Sequence, residues 1–211
     1  MTVPFYSDGA RTLQDRFDSR RLADRLEQVT LRRAFTDEDR AFVARAPMFF
    51  FATADANGRP DCSYKGGMPG FVRIIDDTTL VFPSYDGNGQ FRSLGNVLLN
   101  SHVGMLFIDF EATKRIRING IASIDDADPL CADYPGADLV VRVRAQEIFP
   151  ICPRYIHKMQ VTELSAYAHV QTISRRRRRG SRWKHFGTTF PRTRASKGSS
   201  GTYRLGTVDR V

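Results

Sequence analysis

Ser63-Tyr64-Lys65-Gly66-Gly67-Met68-Pro69-Gly70-Phe71-Val72-Arg73 lies within residues 48–124, where short runs of alternating apolar residues are separated by turn signals. Runs of period two bounded by Gly, Pro, Asn and Asp read as antiparallel strands. A strand interrupted by this many glycines packs poorly by itself. The glycines are therefore expected to let backbone approach a ligand closely.

Working outward, residues 48–54 are apolar and aromatic, Asp55-Ala56-Asn57-Gly58 is a turn, and 60–66 is the return strand. Residues 71–75 and 79–82 flank Asp76-Asp77 as a second hairpin. A polar, Gly-rich loop runs from Ser84 to Gln90, and Phe91, Leu94, Val97 and Leu98 then recur at helical spacing, which predicts a helix over 91–99. Strands follow at 103–110 and 115–124, the second alternating Ile116 and Ile118 against Arg115, Arg117 and Asn119. An acidic loop covers 125–135, a last strand 139–149, and a short helix is expected to carry 153–158.

Ahead of the strands, Leu13, Phe17, Leu22, Leu26 and Val29 suggest an amphipathic helix within 12–34. Thr36 opens a second helix with Asp37, Glu38 and Asp39 in its first turn, and Pro47 stops it. The fold expected is mainly β (α+β), a six-stranded antiparallel barrel with N-terminal and flanking helices; a sandwich is the structural alternative.

The 211 residues suffice for one domain with a sizeable core plus a tail. Their net charge of +9 is unevenly placed. Residues 174–211 hold ten Arg and two Lys against Asp209, so this segment carries +11 and the rest of the chain −2. The folded body is thus near neutral. The run Arg175 to Arg179, Gly180, Ser181, Arg182, Trp183, Lys184 would suit electrostatic binding of nucleic acid, yet no recognition fold accompanies it. Its Ser- and Gly-rich surroundings favour a disordered, solvated extension, so nucleic acid is not the expected partner. Cys62, Cys131 and Cys152 form no CxxC pair, which argues against a disulfide framework or a metal site. With neither a membrane-length apolar run nor a signal pattern at the start, a cytoplasmic location is expected.

Four runs in order carry a resemblance: FFFATADANGRPDCSYKGGMPGFVRI, LVFPSYDGNGQFRSLGNVLLNSHVGMLFIDF, KRIRINGIASI and CPRYIHKMQ. Together they resemble the FMN-binding split-barrel family, relatives of pyridoxamine 5′-phosphate oxidase, and the PRYIH ending is similar to its bacterial flavin-nucleotide-binding branch. The resemblance covers roughly residues 35–160 and implies a split barrel at 35–165; the patterns on either side add an N-terminal helical extension at 1–34 and a basic, disordered tail at 166–211. It further implies a homodimer with FMN at the interface, acting as an oxidoreductase on a small substrate that the sequence does not identify. Deazaflavin or haem is the alternative cofactor, and binding without turnover the alternative function.

By the same resemblance, residues 65–73 form the strand that tracks the flavin, with Lys65, Gly66, Gly67, Phe71, Val72 and Arg73 as cofactor residues. Ser84, Asn88, Arg92 and Ser93 match the phosphate region, where a helix N-terminus and an Arg suit a phosphomonoester. Arg115 matches a position that reaches the flavin from the side. Read as bare residues, Lys65 equally suits a solvated strand position, Arg73 an edge-strand charge and Arg92 a solvated helix face. Arg115 or Arg117 equally suits solvation of the sheet, and His157 reads better as a packing histidine than as a contact to substrate. The chain departs from the oxidases proper in two places. Only Trp183-Lys184 resembles their C-terminal Trp and Arg element, and Ser93 stands where a lysine is expected beside Arg92. No catalytic residue and no metal ligand is assigned.

Overall fold

The structure, a computed structural model, describes residues 4–85, 87 and 89–168. Asn88 and the basic tail, including Trp183 and Lys184, lie outside the described residues.

The helices form where the caps predict, with one correction. The expected helix within 12–34 is two helices, α1 (Asp8–Arg16) and α2 (Arg20–Thr30). They are broken at Asp18, whose φ of 48° is left-handed and ends the helical hydrogen-bond ladder. Of both helices only Ala23 is buried, and Leu13, Phe17, Leu22, Leu26 and Val29 stay exposed. The third helix, α3 (Asp37–Arg45), begins on a capping box in which Thr36 and Asp39 satisfy each other's backbone N–H groups.

The strands are β1 (Met48–Ala54), β2 (Pro60–Gly66), β3 (Arg73–Ile74), β4 (Thr79–Tyr85), β5 (His102–Asp109), β6 (Lys114–Asp125) and β7 (Ala137–Pro150). They make one antiparallel sheet of seven strands, one more than expected, in the order β2-β1-β5-β6-β7-β4-β3. Edge strands β2 and β3 do not pair with each other, which is the split in the barrel. Helix α4 (Arg92–Leu99) packs against β1, β6 and β2. A 3-10 turn (Pro129–Asp133) interrupts the acidic loop.

Alternation drives the burial. Phe49 and Phe51 point inward from β1 and are fully buried with Phe82, Phe107, Ile118, Val141 and Val143. Phe49 stacks on Phe107 at 5.0 Å and on Phe71 at 5.9 Å, and meets Phe82 edge-on at 5.0 Å. Such aromatic pairs add about 1 kcal/mol each beyond the area they bury.

Two local expectations are overturned. Residues 65–73 are not one strand: β2 ends at Gly66, a turn follows, and β3 begins at Arg73. The turn forms because Gly67 N–H donates to Pro47 O, Phe71 N–H donates to Met68 O, and Gly70 takes a φ of 89°. Residues 153–158 are not helical either. A single turn bond joins Ile156 N–H to Pro153 O, and Tyr155 is 85% exposed, so no apolar face is buried to sustain a helix.

Candidate functional site

Strand β2 lies at a sheet edge, and its alternation sorts its side chains into two sets. Asp61, Ser63 and Lys65 pair in register with inward-facing Thr53, Phe51 and Phe49, and are partly buried. Cys62, Tyr64 and Gly66 face outward and are exposed. Asp61 and Ser63 of the inward set meet the N-terminal turn of α4, whose Leu94 and Val97 are anchored in the core.

At that junction the polar groups converge on one carboxylate. Arg92 Nε lies 2.9 Å from Asp61 Oδ1. Ser93 Oγ, buried, donates to Asp61 Oδ2 at 2.9 Å and lies 3.0 Å from Ser63 Oγ. Asn96 Nδ2 donates to Thr53 Oγ1 at 3.0 Å, one turn further along α4. Beside them Asp55, Arg59, Arg92 and Asn96 line an open cleft of about 320 Å³. Within it Asp55 and Arg59 pair at 2.6 Å, and the Arg59 backbone N–H holds the Asp55 carboxyl below the usual carboxylate range.

The Lys65 side chain makes no hydrogen bond or ion pair among the described residues. Burial pushes its ammonium below the ordinary value, and the nearby charge of Asp61 offsets part of that. The residue before α4, Phe91, sits at a left-handed φ of 47° and supplies no side-chain cap. An uncapped helix start, a guanidinium and an unpartnered ammonium are the donor set that an oxyanion takes. By that chemistry these residues fit the phosphomonoester of a nucleotide cofactor.

The other residues expected at the site are placed differently. Arg73 Nε donates to the Tyr134 hydroxyl at 2.8 Å, Nη2 pairs with Asp133 at 3.0 Å, and the guanidinium lies over the Tyr134 ring. Its guanidinium is thereby tied to the 3-10 turn and its flank. Phe71 and Val72 are core residues, 5% and 1% exposed, and their side chains are committed to packing rather than to a ligand. The glycines admit rings: a Cβ on Gly66 would lie 2.7 Å from the Tyr64 ring, and one on Gly67 2.5 Å from Phe71 Cγ. Ser84 is partly buried at a bulge in the pairing of β4 with β7.

Arg115 sits next to Ile116, whose register partner Phe107 stacks on Phe49, itself opposite Lys65. Its Nη2 donates to Cys152 O at 2.7 Å, while its Nε is buried with no partner among the described residues. His157 is exposed and is not the packing histidine expected.

Structure thus brings together Arg92 and Ser93, puts Lys65 on the same face of β2 within the electrostatic reach of Asp61, and adds Asp61, Ser63, Thr53 and Asn96, which sequence reading missed. The signal for Asp61 and Ser63 was present: in an alternating strand they share the face of Lys65. Among the described residues no group of three or more His, Cys, Asp or Glu is disposed to hold a metal ion, and no helix is long and apolar enough to cross a membrane.

A family model described as Pyridoxamine 5′-phosphate oxidase matches residues 35–166. No curated protein matches the chain. Among solved structures, HupZ of Group A Streptococcus is 21% identical, with 60% of this chain and 99% of that one covered and a TM-score of 0.47. The General Stress Protein 26 of Bacillus anthracis is 14% identical, with coverages of 53% and 88% and a TM-score of 0.42. An FMN-binding protein from Syntrophomonas wolfei is 11% identical, with coverages of 67% and 96% and a TM-score of 0.41.

Proposed function

The chain belongs to the pyridoxamine 5′-phosphate oxidase family, and from that premise we propose that it is an FMN-binding flavoprotein and an oxidoreductase acting on a small substrate. The observation that carries the reading is the convergence of Arg92 and Ser93 at the uncapped start of α4, with Lys65 on the adjoining strand face within the electrostatic reach of the same Asp61. In this reading Arg92 and the α4 N–H groups hold the phosphate, and Lys65 adds the positive charge that stabilises it. The accessible part of the turn, residues 68–70, is the stretch of backbone that the remainder of the cofactor would reach, and the buried Arg115 Nε is left without a partner among the described residues. Bound flavin would supply hydride transfer, and the chain's own residues bind it, orient it and exclude water.

A homodimer with the cofactor at its interface is part of the same proposal. Its support is the unburied apolar surface: Tyr64 on the outward face of β2, and Leu98 and Leu99 on α4, are all exposed.

The test is an absorbance spectrum of purified protein, as isolated and after addition of FMN and desalting. Retained flavin bands, and their loss in Arg92→Gln, are expected. A protein that retains no flavin but binds haem or a deazaflavin would replace FMN in this reading. Flavin that is reduced but never reoxidised by an acceptor would favour a carrier over an enzyme.

A further inference from the structure

The Arg92 guanidinium and the Ser93 hydroxyl at the start of α4 already share an anion, and it belongs to the chain. Asp61 Oδ1 faces Arg92 Nε at 2.9 Å, and Oδ2 accepts from Ser93 Oγ at 2.9 Å. Asp61 is also the charge that holds up the Lys65 ammonium against its burial. A carboxylate that takes a guanidinium on one oxygen and a hydroxyl on the other makes the contacts that two oxygens of a phosphomonoester would make. The other acid of the cleft is committed elsewhere: Asp55 Oδ2 holds Arg59, and its Oδ1 accepts from the backbone N–H groups of Asn57 and Arg59.

We propose that Asp61 is an internal stand-in for the ligand phosphate, holding Arg92 and Ser93 in place while the site is empty and competing with the phosphate when it arrives. The proposal rests on the flavin reading for the identity of the ligand, while its core, displacement of a carboxylate by an oxyanion, concerns these side chains alone. Asp61 engages Arg92 through Nε, and a phosphate brought onto the same guanidinium would lie close enough to that carboxylate to be repelled by it. Asp61 therefore opposes the phosphate, and transfer of Arg92 from Asp61 to the phosphate relieves the repulsion. Asp61 is a positioning residue in this scheme: it sets how strongly the site prefers a phosphorylated ligand over the same ligand without phosphate, and it keeps the cationic pocket ordered and neutralised until then.

Asparagine at this position keeps the shape and an acceptor for Ser93 while removing the charge. The full-length protein and its Asp61→Asn, Asp61→Glu and Asp61→Asn/Arg92→Gln variants are titrated with FMN and with riboflavin, which lacks the phosphate. Asp61→Asn is expected to bind FMN about tenfold more tightly, with riboflavin affinity unchanged, since only the charge facing the phosphate has gone. Asp61→Glu, which keeps the charge, should not reproduce the gain, and the double variant should lose it. Weaker or unchanged FMN binding by a folded Asp61→Asn protein would overturn the proposal, as would an equal gain for riboflavin.

If wild-type protein binds neither flavin, the flavin reading fails and inorganic pyrophosphate becomes the probe, measured by calorimetry. Tighter pyrophosphate binding by Asp61→Asn than by wild type would still support the exchange, and equal binding would refute it. The basic tail is present in both proteins and cancels in that comparison.

Discussion

The guanidinium carbon of Arg73 lies 4.5 Å from the centroid of the Tyr134 ring, and its Nε donates to the hydroxyl of the same residue. With Asp133 on Nη2, this arginine joins β3 to the end of the 3-10 turn that precedes β7. Arg73→Met is accordingly expected to leave FMN affinity within about twofold and to lower stability by about 1–2 kcal/mol. Flavin titration and urea unfolding of the same variant separate the two effects. A large loss of affinity at unchanged stability would return Arg73 to the cofactor.

Lys65 should behave in the opposite way. Lys65→Met is expected to weaken FMN binding about tenfold while leaving riboflavin binding nearly unchanged, because the lost charge serves the phosphate. Its folded-state pKa is lowered by burial from the ordinary 10.5. The unfolded chain then binds the proton more strongly than the folded one, so the cost of burying the ammonium is full below the lowered folded value. It fades as pH rises through the lowered value toward the unfolded one. In the flavin-free protein, wild type should gain stability relative to Lys65→Met as pH rises toward the ordinary lysine value, and chemical unfolding along an alkaline pH series measures it.

Acid lability should follow Asp128. Its side chain is 3% exposed and holds Arg142 through both oxygens, at 2.5 Å to Nε and 2.9 Å to Nη2. The hydrogen bond from Arg142 sets its pKa below the ordinary 3.8. The stability it contributes is thus complete above the unfolded value and is lost as pH falls through the lowered folded value. Asp128→Asn is expected to cost about 2–3 kcal/mol at neutral pH and to flatten the acid limb of the stability curve. Equilibrium unfolding across the acid range checks both.

The two adjacent glycines make a paired test. Gly67→Ala would place its Cβ 2.5 Å from Cγ of Phe71, a buried ring stacked on Phe49 that has no room to retreat. A loss of about 2–3 kcal/mol is expected. Gly66→Ala meets the ring of Tyr64, which is 63% exposed and free to swing away, so it should cost about 0.5 kcal/mol or less. Equal costs at the two positions would contradict the packing described.

Much of the fold was legible in the chain. The bounds of β1 and β2, the Thr36 cap and the α4 segment follow from local rules, because strand alternation and N-cap chemistry depend on neighbours a few residues away. The break at Asp18 was not legible, since the apolar spacing of 12–34 runs through it and a left-handed residue there carries no strong compositional mark. Residues 153–158 failed for a related reason: a helix-compatible stretch forms a helix only if some face is buried, and here none is.

The sequence by itself determined the family, the antiparallel β class and the candidacy of Lys65, Arg92 and Ser93, since each rests on residue types in a fixed local order. Tertiary structure alone decided which charges meet. Asp61 on an edge strand reaches Arg92 on α4, and Arg73 reaches Tyr134, because burial of Leu94, Val97 and Phe71 fixes how helix, strands and turn come together. Periodicity assigns a side chain to a face. Its partner across that face is set by how the whole core packs, which no local pattern encodes.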